Sequence, residues 1–122
     1  MKSRDTLIRL KRFQVEEKRR RDRQIEMMVA EFTRMAADLD REIANEEKRA
    51  GISDPQHFAY PTYARAAIAR RDNLKSSIGE LAIQIEEAKA AQAVAQAELQ
   101  KYESLDGREK AADRAHEAVA QV

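Results

Sequence analysis

Cysteine and tryptophan are both missing from this chain of 122 residues, and proline and glycine are scarce, at two and three residues. Without cysteine the chain forms no disulfide bond and no thiolate metal site. Aromatic residues make up only 5% of the sequence, which is too few for a deep globular core. No apolar run approaches the ~20 residues that a membrane-spanning helix needs. No apolar segment follows the basic N-terminus either, so we expect a cytoplasmic protein without a signal peptide or direct membrane insertion.

Charged residues are abundant, at 37%, and alanine, glutamate, arginine and lysine dominate the composition. These are strong helix formers. Both prolines and Gly51 fall within residues 51–61, where a helix must break. The sequence therefore predicts an all-α fold, a single domain over residues 1–122 that forms a long antiparallel two-helix coiled-coil hairpin. Its expected parts are a helix over about 4–50, a loop over 51–61, and a helix over about 62–105 with a frayed continuation to about 118.

Apolar residues on both sides of the break recur at alternating intervals of three and four, which is the heptad pattern of a coiled-coil seam. Gln92 interrupts the second series. The predicted seam residues are Ile25, Val29, Phe32, Ala36, Leu39 and Ile43 in the first arm, and Leu74, Ile78, Leu81, Ile85, Leu99 and Tyr102 in the second.

Two registers bring these seams together, one in which paired residue numbers sum to 117 and one in which they sum to 110. We prefer the first, because it sets Glu46 against Arg71 and Lys11 against Asp106, which are attractive pairs. The second register places Arg71 against Leu39. Cross-linking of engineered cysteines distinguishes the two.

The net charge is +1, but residues 1–24 hold ten lysines and arginines against four acidic residues, a local charge of +6. The stretch from Glu16 to Gln24 has no apolar residue. This stretch is either a solvated helix face or a docking surface for an acidic partner, and the pattern alone leaves both interpretations open. Residues 1–24 as a whole are called the basic segment below.

Half of the aromatic residues, Phe58, Tyr60 and Tyr63, lie in or beside the loop. We expect Tyr60 to cap the seam. Phe58 and Tyr63 either pack there as well or serve as exposed binding anchors, since aromatic residues are frequent in interface hot spots.

No catalytic pattern is found. His57 and His116 are far apart, with no metal-ligand spacing around them, and phosphate-binding glycine motifs are absent. We therefore expect no enzyme activity, no cofactor and no metal. The basic run from Lys18 to Arg23 has no interleaved aromatic residues, so nucleic-acid binding is a weaker alternative.

The opening run from Met1 to Phe13, MKSRDTLIRLKRF, begins a basic helix and resembles the flagellar export protein FliJ family. The loop from Gly51 to Tyr63 and the segment from Leu105 to Asp113 are similar to its alphaproteobacterial branch. The resemblance covers nearly the whole chain, although a coiled-coil family offers no catalytic motif to match.

The resemblance implies a stalk-like coiled coil that binds the hexameric flagellar export ATPase and contacts the membrane-embedded export gate and the export chaperones. The protein would then be cytoplasmic and peripherally associated with the inner membrane through that apparatus. Phe58, Tyr60 and Tyr63 would face the export gate. The implied contacts with the ATPase ring are Arg4, Arg9, Lys11, Arg12, Lys18, Arg19, Arg20, Arg21 and Arg23.

Two other functions fit the same periodicity, a generic cytoplasmic scaffolding coiled coil and a nucleic-acid-binding coiled coil. A self-contained hairpin predicts a monomer when free, whereas a scaffold that dimerises through its alanine-rich face does not.

Overall fold

A computed structural model describes residues 2–121 and contains two helices, α1 over Lys2–Ala50 and α2 over Thr62–Ala120. No strand occurs within these residues. The chain is therefore an all-α helical hairpin, as its composition predicts. The expected continuation past residue 105 is also helical, because α2 runs through Gly107 without interruption to Ala120. Within that continuation, the side chains of residues 111–120 are all exposed.

Helix α1 ends where glycine permits a backbone that other residues avoid. Gly51 has a φ of 72°, and its N–H donates to the carbonyl oxygen of Glu47 at 2.8 Å. This is the left-handed cap that commonly ends a helix. Lys48 and Arg49 occupy the last turn, where positive charge interacts favourably with the helix dipole.

Helix α2 begins immediately after a proline. Its first turn is closed by a hydrogen bond from the Arg65 N–H to the Pro61 carbonyl oxygen at 3.1 Å. Pro61 has no N–H to leave unpaired, so its position just before Thr62 costs the helix no hydrogen bond. The predicted loop boundaries are thus the observed ones.

The chain divides into two compact units. The loop unit is Arg23–Glu86, and the terminal unit combines Met1–Asp22 with Glu87–Val122, of which residues 2–22 and 87–121 are described. Each unit contains a stretch of α1 and a stretch of α2, and each has its own buried seam.

The core of the loop unit is a cluster of Leu39, Ile43 and Ala67, with Ile68 and Leu74 packed against it. Leu39, Ile43 and Ala67 retain 3–7% of their accessible surface. Small alanine side chains on α2 allow its backbone to approach the larger side chains of α1 closely.

The core of the terminal unit joins Ile8 and Val15 of α1 to Ala95 and Leu99 of α2, and Tyr102 packs against this cluster. Val15 retains only 2% of its accessible surface. Helix α1 therefore buries apolar side chains on the N-terminal side of the polar stretch 16–24.

The preferred register of 117 is wrong, because the buried clusters of both units follow the alternative one: Val15 with Ala95 in the terminal unit and Ile43 with Ala67 in the loop unit both sum to 110. In the terminal unit Lys11 pairs with Glu98, and in the loop unit Arg71 pairs with Asp40, so paired numbers sum to 109 and 111. The expected partners are engaged within their own helices, Asp106 with Lys110 and Glu46 with Arg49.
 The ends of the helices give the physical reason for this register. Helix α1 ends at Ala50, and a sum of 110 places Tyr60 opposite that residue, just before α2 begins. A sum of 117 would place Ala67 there and leave more than one turn of α2 without a partner.

All twelve predicted seam residues lie at least partly out of solvent. Six are buried and six are half-buried. The buried ones are Ile25, Ala36, Leu39, Ile43, Leu81 and Leu99, and the half-buried ones are Val29, Phe32, Leu74, Ile78, Ile85 and Tyr102.

Candidate functional site

The loop is held by hydrogen bonds between neighbouring residues. Asp54 accepts two of them, from the Gln56 N–H to its side chain at 2.9 Å and from the His57 N–H to its carbonyl oxygen at 3.0 Å. His57 then accepts from the Ala59 N–H through Nδ1 at 3.0 Å and from the Tyr60 N–H through its carbonyl oxygen at 3.1 Å. Asparagine, aspartate and similar short polar side chains are typical turn formers, and these four hydrogen bonds hold the loop backbone in one conformation.

Arg65 fastens this loop to the first turn of α2. Its Nη1 donates to the Pro55 carbonyl oxygen at 2.9 Å, and its guanidinium lies 5.5 Å from the centroid of the Tyr60 ring, within cation–π range. Tyr60 itself is buried, with 4% of its surface accessible. That burial, together with the nearby Glu47 carboxylate, raises the pKa of the Tyr60 phenol.

The three predicted loop aromatics therefore have different environments. Phe58 is 94% exposed and stacks on His57 with ring centroids 4.7 Å apart. Tyr63 is 54% exposed, and its hydroxyl donates to Glu42 at 2.8 Å, a hydrogen bond that raises the pKa of Tyr63. Tyr60 caps the seam as expected, and its burial leaves little of it for a partner to contact. Phe58 is the aromatic side chain of the loop that a partner can reach fully.

Five of the nine predicted basic contacts are engaged within the hairpin or within α1. Such pairs at a surface stabilise a helix hairpin only slightly, by ~0.2–1 kcal/mol each, but they reduce the charge available to a partner. They are Arg4 with Glu109, Lys11 with Glu98 at 2.9 Å, Arg12 with Glu103 at 3.6 Å, Arg19 with Glu16 at 2.8 Å and with Gln96 at 3.0 Å, and Arg20 with Glu17.

Lys11 is the most enclosed of these five. Its side chain is 19% exposed, and Nζ lies 5.8 Å from the centroid of the Tyr102 ring. The aliphatic stem covers the seam while the ammonium group reaches Glu98 at the surface, as long cationic side chains commonly do. Lys11 thus belongs to the packing of the terminal unit.

The other four predicted basic contacts, Arg9, Lys18, Arg21 and Arg23, are exposed. None of them forms an ion pair with any residue of the described range 2–121. Arg9, Lys18 and Arg21 belong to the terminal unit, and Arg23 is the first residue of the loop unit. These residues carry the positive charge that a partner can meet.

Sequence reasoning missed two groups of apolar side chains on α1 that are exposed except for the half-buried seam residue Phe32. Leu10 and Phe13, in the terminal unit, are 50% and 61% exposed and lie beside basic residues. The second group, here termed the methionine face, consists of Met27, Met28, Phe32 and Met35 in the loop unit. The sequence pattern that could have revealed this face is the helical spacing of residues 28, 32 and 35. Of these, only Phe32 is also a seam residue.

Among residues 2–121, no group of three or more histidine, cysteine, aspartate or glutamate side chains is arranged to hold a metal ion. Within the same residues, neither helix contains a stretch apolar enough to cross a membrane. The surface depressions of each unit are open grooves between or along helices. What these geometries offer is a set of contact surfaces.

Comparisons with protein-family models, with curated proteins and with solved structures find no match to this chain.

Proposed function

We propose that this chain is a stalk-like, non-enzymatic component of the flagellar type III protein export apparatus. In this role it binds the hexameric export ATPase and links that ring to the export-gate membrane protein and the export chaperones. The helical hairpin supports this proposal, as does the resemblance of the opening basic helix, the loop and residues 105–113 to the FliJ family.

The observation that carries the proposal is the set of unpaired cations on α1. Arg9, Lys18 and Arg21 of the terminal unit are exposed and form no ion pair within residues 2–121. Because their charge is not neutralised within the chain, it is free to steer and hold an acidic surface. Leu10 and Phe13 on the same stretch add apolar area, and arginine with aromatic residues is a common composition of interface hot spots.

At the loop, Phe58 supports a second contact, with the export gate. The hydrogen bonds around Asp54 and His57 define the loop backbone before any partner binds. Less conformational entropy is then lost when Phe58 enters an apolar pocket. Tyr60 has a supporting role in this contact, since it is buried beneath the loop.

A stalk of this kind performs no chemistry. It acts through its binding free energy, which must differ between the nucleotide states of the ring if it is to couple them to the gate. Unpaired charges on a preformed helix suit this role, because they can meet different acidic groups without refolding the chain.

The test combines the purified chain with a hexameric flagellar export ATPase and measures complex formation and ATP hydrolysis. We expect the chain to bind the ring and stimulate hydrolysis. The variant Lys18→Glu/Arg21→Glu should weaken binding at least about tenfold, since two attractive contacts become repulsive. The matched control is Lys48→Glu/Lys75→Glu, which reverses two exposed charges of the loop unit and should leave binding unchanged.

Absence of binding by the unaltered chain would overturn the assignment to the export apparatus. Equal losses in both variants would instead overturn the assignment of the basic segment, since net charge alone would then explain the effect. A dimer in sedimentation with no affinity for the ATPase would favour the scaffolding alternative. Steeply salt-dependent binding to DNA or RNA would favour the nucleic-acid alternative.

A further inference from the structure

We propose that the methionine face of the loop unit is a docking surface for a third helix, an amphipathic helix of a partner protein with an acidic residue beside its apolar stripe. The proposal concerns a surface distinct from the basic segment and from the loop. It stands on the exposure, spacing and charge of residues within Arg23–Glu86 and does not depend on the function proposed above.

The first observation is the concentration of exposed methionine. Three of the four methionines of the chain lie within nine residues of α1. Met27, Met28 and Met35 are 72%, 46% and 37% exposed, although the heptad seam does not need them. Single exposed apolar residues are common, but neighbouring ones on one helix face indicate a contact surface.

The second observation is that two grooves meet at Phe32. One groove follows α1 past Met27 and Met28. The other runs between the helices, where Phe32 and Met35 face Leu74 of α2. A helix laid along these grooves would contact both helices of the loop unit, which is how a third helix completes a bundle.

The charges at the rim indicate which helix fits. Glu31 borders the first groove, but its carboxylate is engaged by Arg34. Arg70 borders the second groove and has no ion-pair partner among the described residues. The uncompensated charge of the rim is therefore positive, and an acidic residue on the incoming helix would complement it.

Methionine also suits this role by its chemistry. Its side chain is unbranched and its sulfur is polarisable, so it adapts to ligands of different shape. Met-rich surfaces accordingly bind amphipathic helices of varied sequence. We infer that recognition here depends on the pattern of apolar residues and on one charge more than on an exact sequence.

The experiment uses the full chain labelled with methyl-13C methionine, which gives one NMR signal for each of its four methionines. The probe is a synthetic 18-residue helical peptide with leucines spaced by three and four residues and glutamates flanking the leucine stripe. We expect the signals of Met27, Met28 and Met35 to shift on titration.

A second peptide, identical except for lysine in place of glutamate, should bind at least about tenfold more weakly. Arg70→Glu should reverse this preference. The variant Met27→Ser/Met28→Ser/Met35→Ser should abolish binding, and circular dichroism would verify that it remains helical. The matched control is Ile83→Ser/Val94→Ser, which removes two side chains that are 62% and 64% exposed and should bind normally.

Three results would overturn the proposal. The first is that neither peptide shifts the methionine signals. The second is that both peptides bind equally well, or that the control variant loses as much affinity as the methionine variant, because contact would then be non-specific. The third is that these signals shift when the unliganded chain is concentrated and sedimentation shows a dimer, because a second copy of the chain would then be the occupant.

Discussion

Arg71 of α2 donates a hydrogen bond from Nη1 to Asp40 Oδ1 of α1 at 3.0 Å, and this pair marks which turns of the two helices face each other in the loop unit. Its other nitrogens donate to Asp72 at 3.2 Å, and the contact with Asp40 raises the pKa of Arg71. The arginine beside Leu39 is accommodated because its guanidinium reaches acidic groups at the surface. The objection that this register buries a charge therefore does not hold.

Cysteine cross-linking tests this register directly, and the absence of native cysteine removes competing disulfides. We expect Leu39→Cys/Arg71→Cys to oxidise to an intramolecular disulfide. Leu39→Cys/Ile78→Cys should not, because a displacement of seven residues moves the partner by about 10 Å, beyond the ~7 Å limit between bridged Cα atoms. Non-reducing electrophoresis and mass spectrometry would report the products, and the reverse result would restore the register of 117.

The terminal unit provides a matched pair of valines for measuring the contribution of its core. Val15→Ala removes a buried side chain and should lower the free energy of unfolding by about 2 kcal/mol. Val94→Ala makes the same change at a position that is 64% exposed, and should alter stability by less than ~0.5 kcal/mol. Chemical denaturation followed by circular dichroism measures both. Equal effects would mean that the seam around Ile8 and Val15 does not form.

Glycine substitutions should have opposite effects in the loop and in a helix. Gly51→Ala forces a side chain into a left-handed backbone and should cost ~1 kcal/mol. Gly79→Ala lies inside α2, where the added methyl group would meet no atom within 4 Å beyond its chain neighbours and the adjacent helix backbone, and should stabilise the chain by ~0.5–1 kcal/mol through helix propensity. Thermal denaturation would separate the two, and stabilisation by Gly51→Ala would contradict the observed cap.

The buried phenol of Tyr60 predicts a loss of stability in alkali. Its pKa is raised above the ordinary value of 10.0, so the folded state holds the proton more tightly than the unfolded state does. The contribution of the Tyr60 phenol to the free energy of unfolding is therefore complete below pH 10. It is lost as the pH rises through the higher pKa that Tyr60 has in the folded state. Melting temperatures between pH 9 and about 11.5 should fall less steeply for Tyr60→Phe than for the unaltered chain, and parallel curves would refute the prediction.

The helices and the reversal between them were predictable because local chemistry determines them. Two prolines and Gly51 interrupt strong helix formers, and the spacing of the seam residues identifies the side of each helix that is buried. The end of α2 was less predictable, since Gly107 is a common stop signal that here lies within a continuous helix.

The register was predicted wrongly because the preference rested on two charge pairs and on keeping Arg71 away from Leu39, and took no account of loop closure. Charge pairs at a surface contribute little, whereas a mismatch of one heptad leaves a whole turn without a partner. Comparing the last residue of α1, Ala50, with the first of α2, Thr62, would have selected the correct alternative from the sequence.

The surfaces were predicted less well than the fold. Sequence reasoning identified the basic segment but could not show that Arg4, Lys11 and Arg12 pair across the hairpin, since those pairs depend on the register. It overlooked Met28 and Met35 because they lie outside the heptad positions of the main seam.

The register also makes the length of the loop unit a quantity that can be adjusted only in matched blocks. Deleting residues 29–35 alone would shift every contact beyond them by one heptad. Deleting residues 75–81 as well, which are their counterparts in a register of 110, would preserve all remaining pairs and the loop. The number of heptads in the loop unit can therefore be changed without altering which of the remaining residues face each other, and thermal denaturation of a series of such paired deletions would show how stability depends on that number.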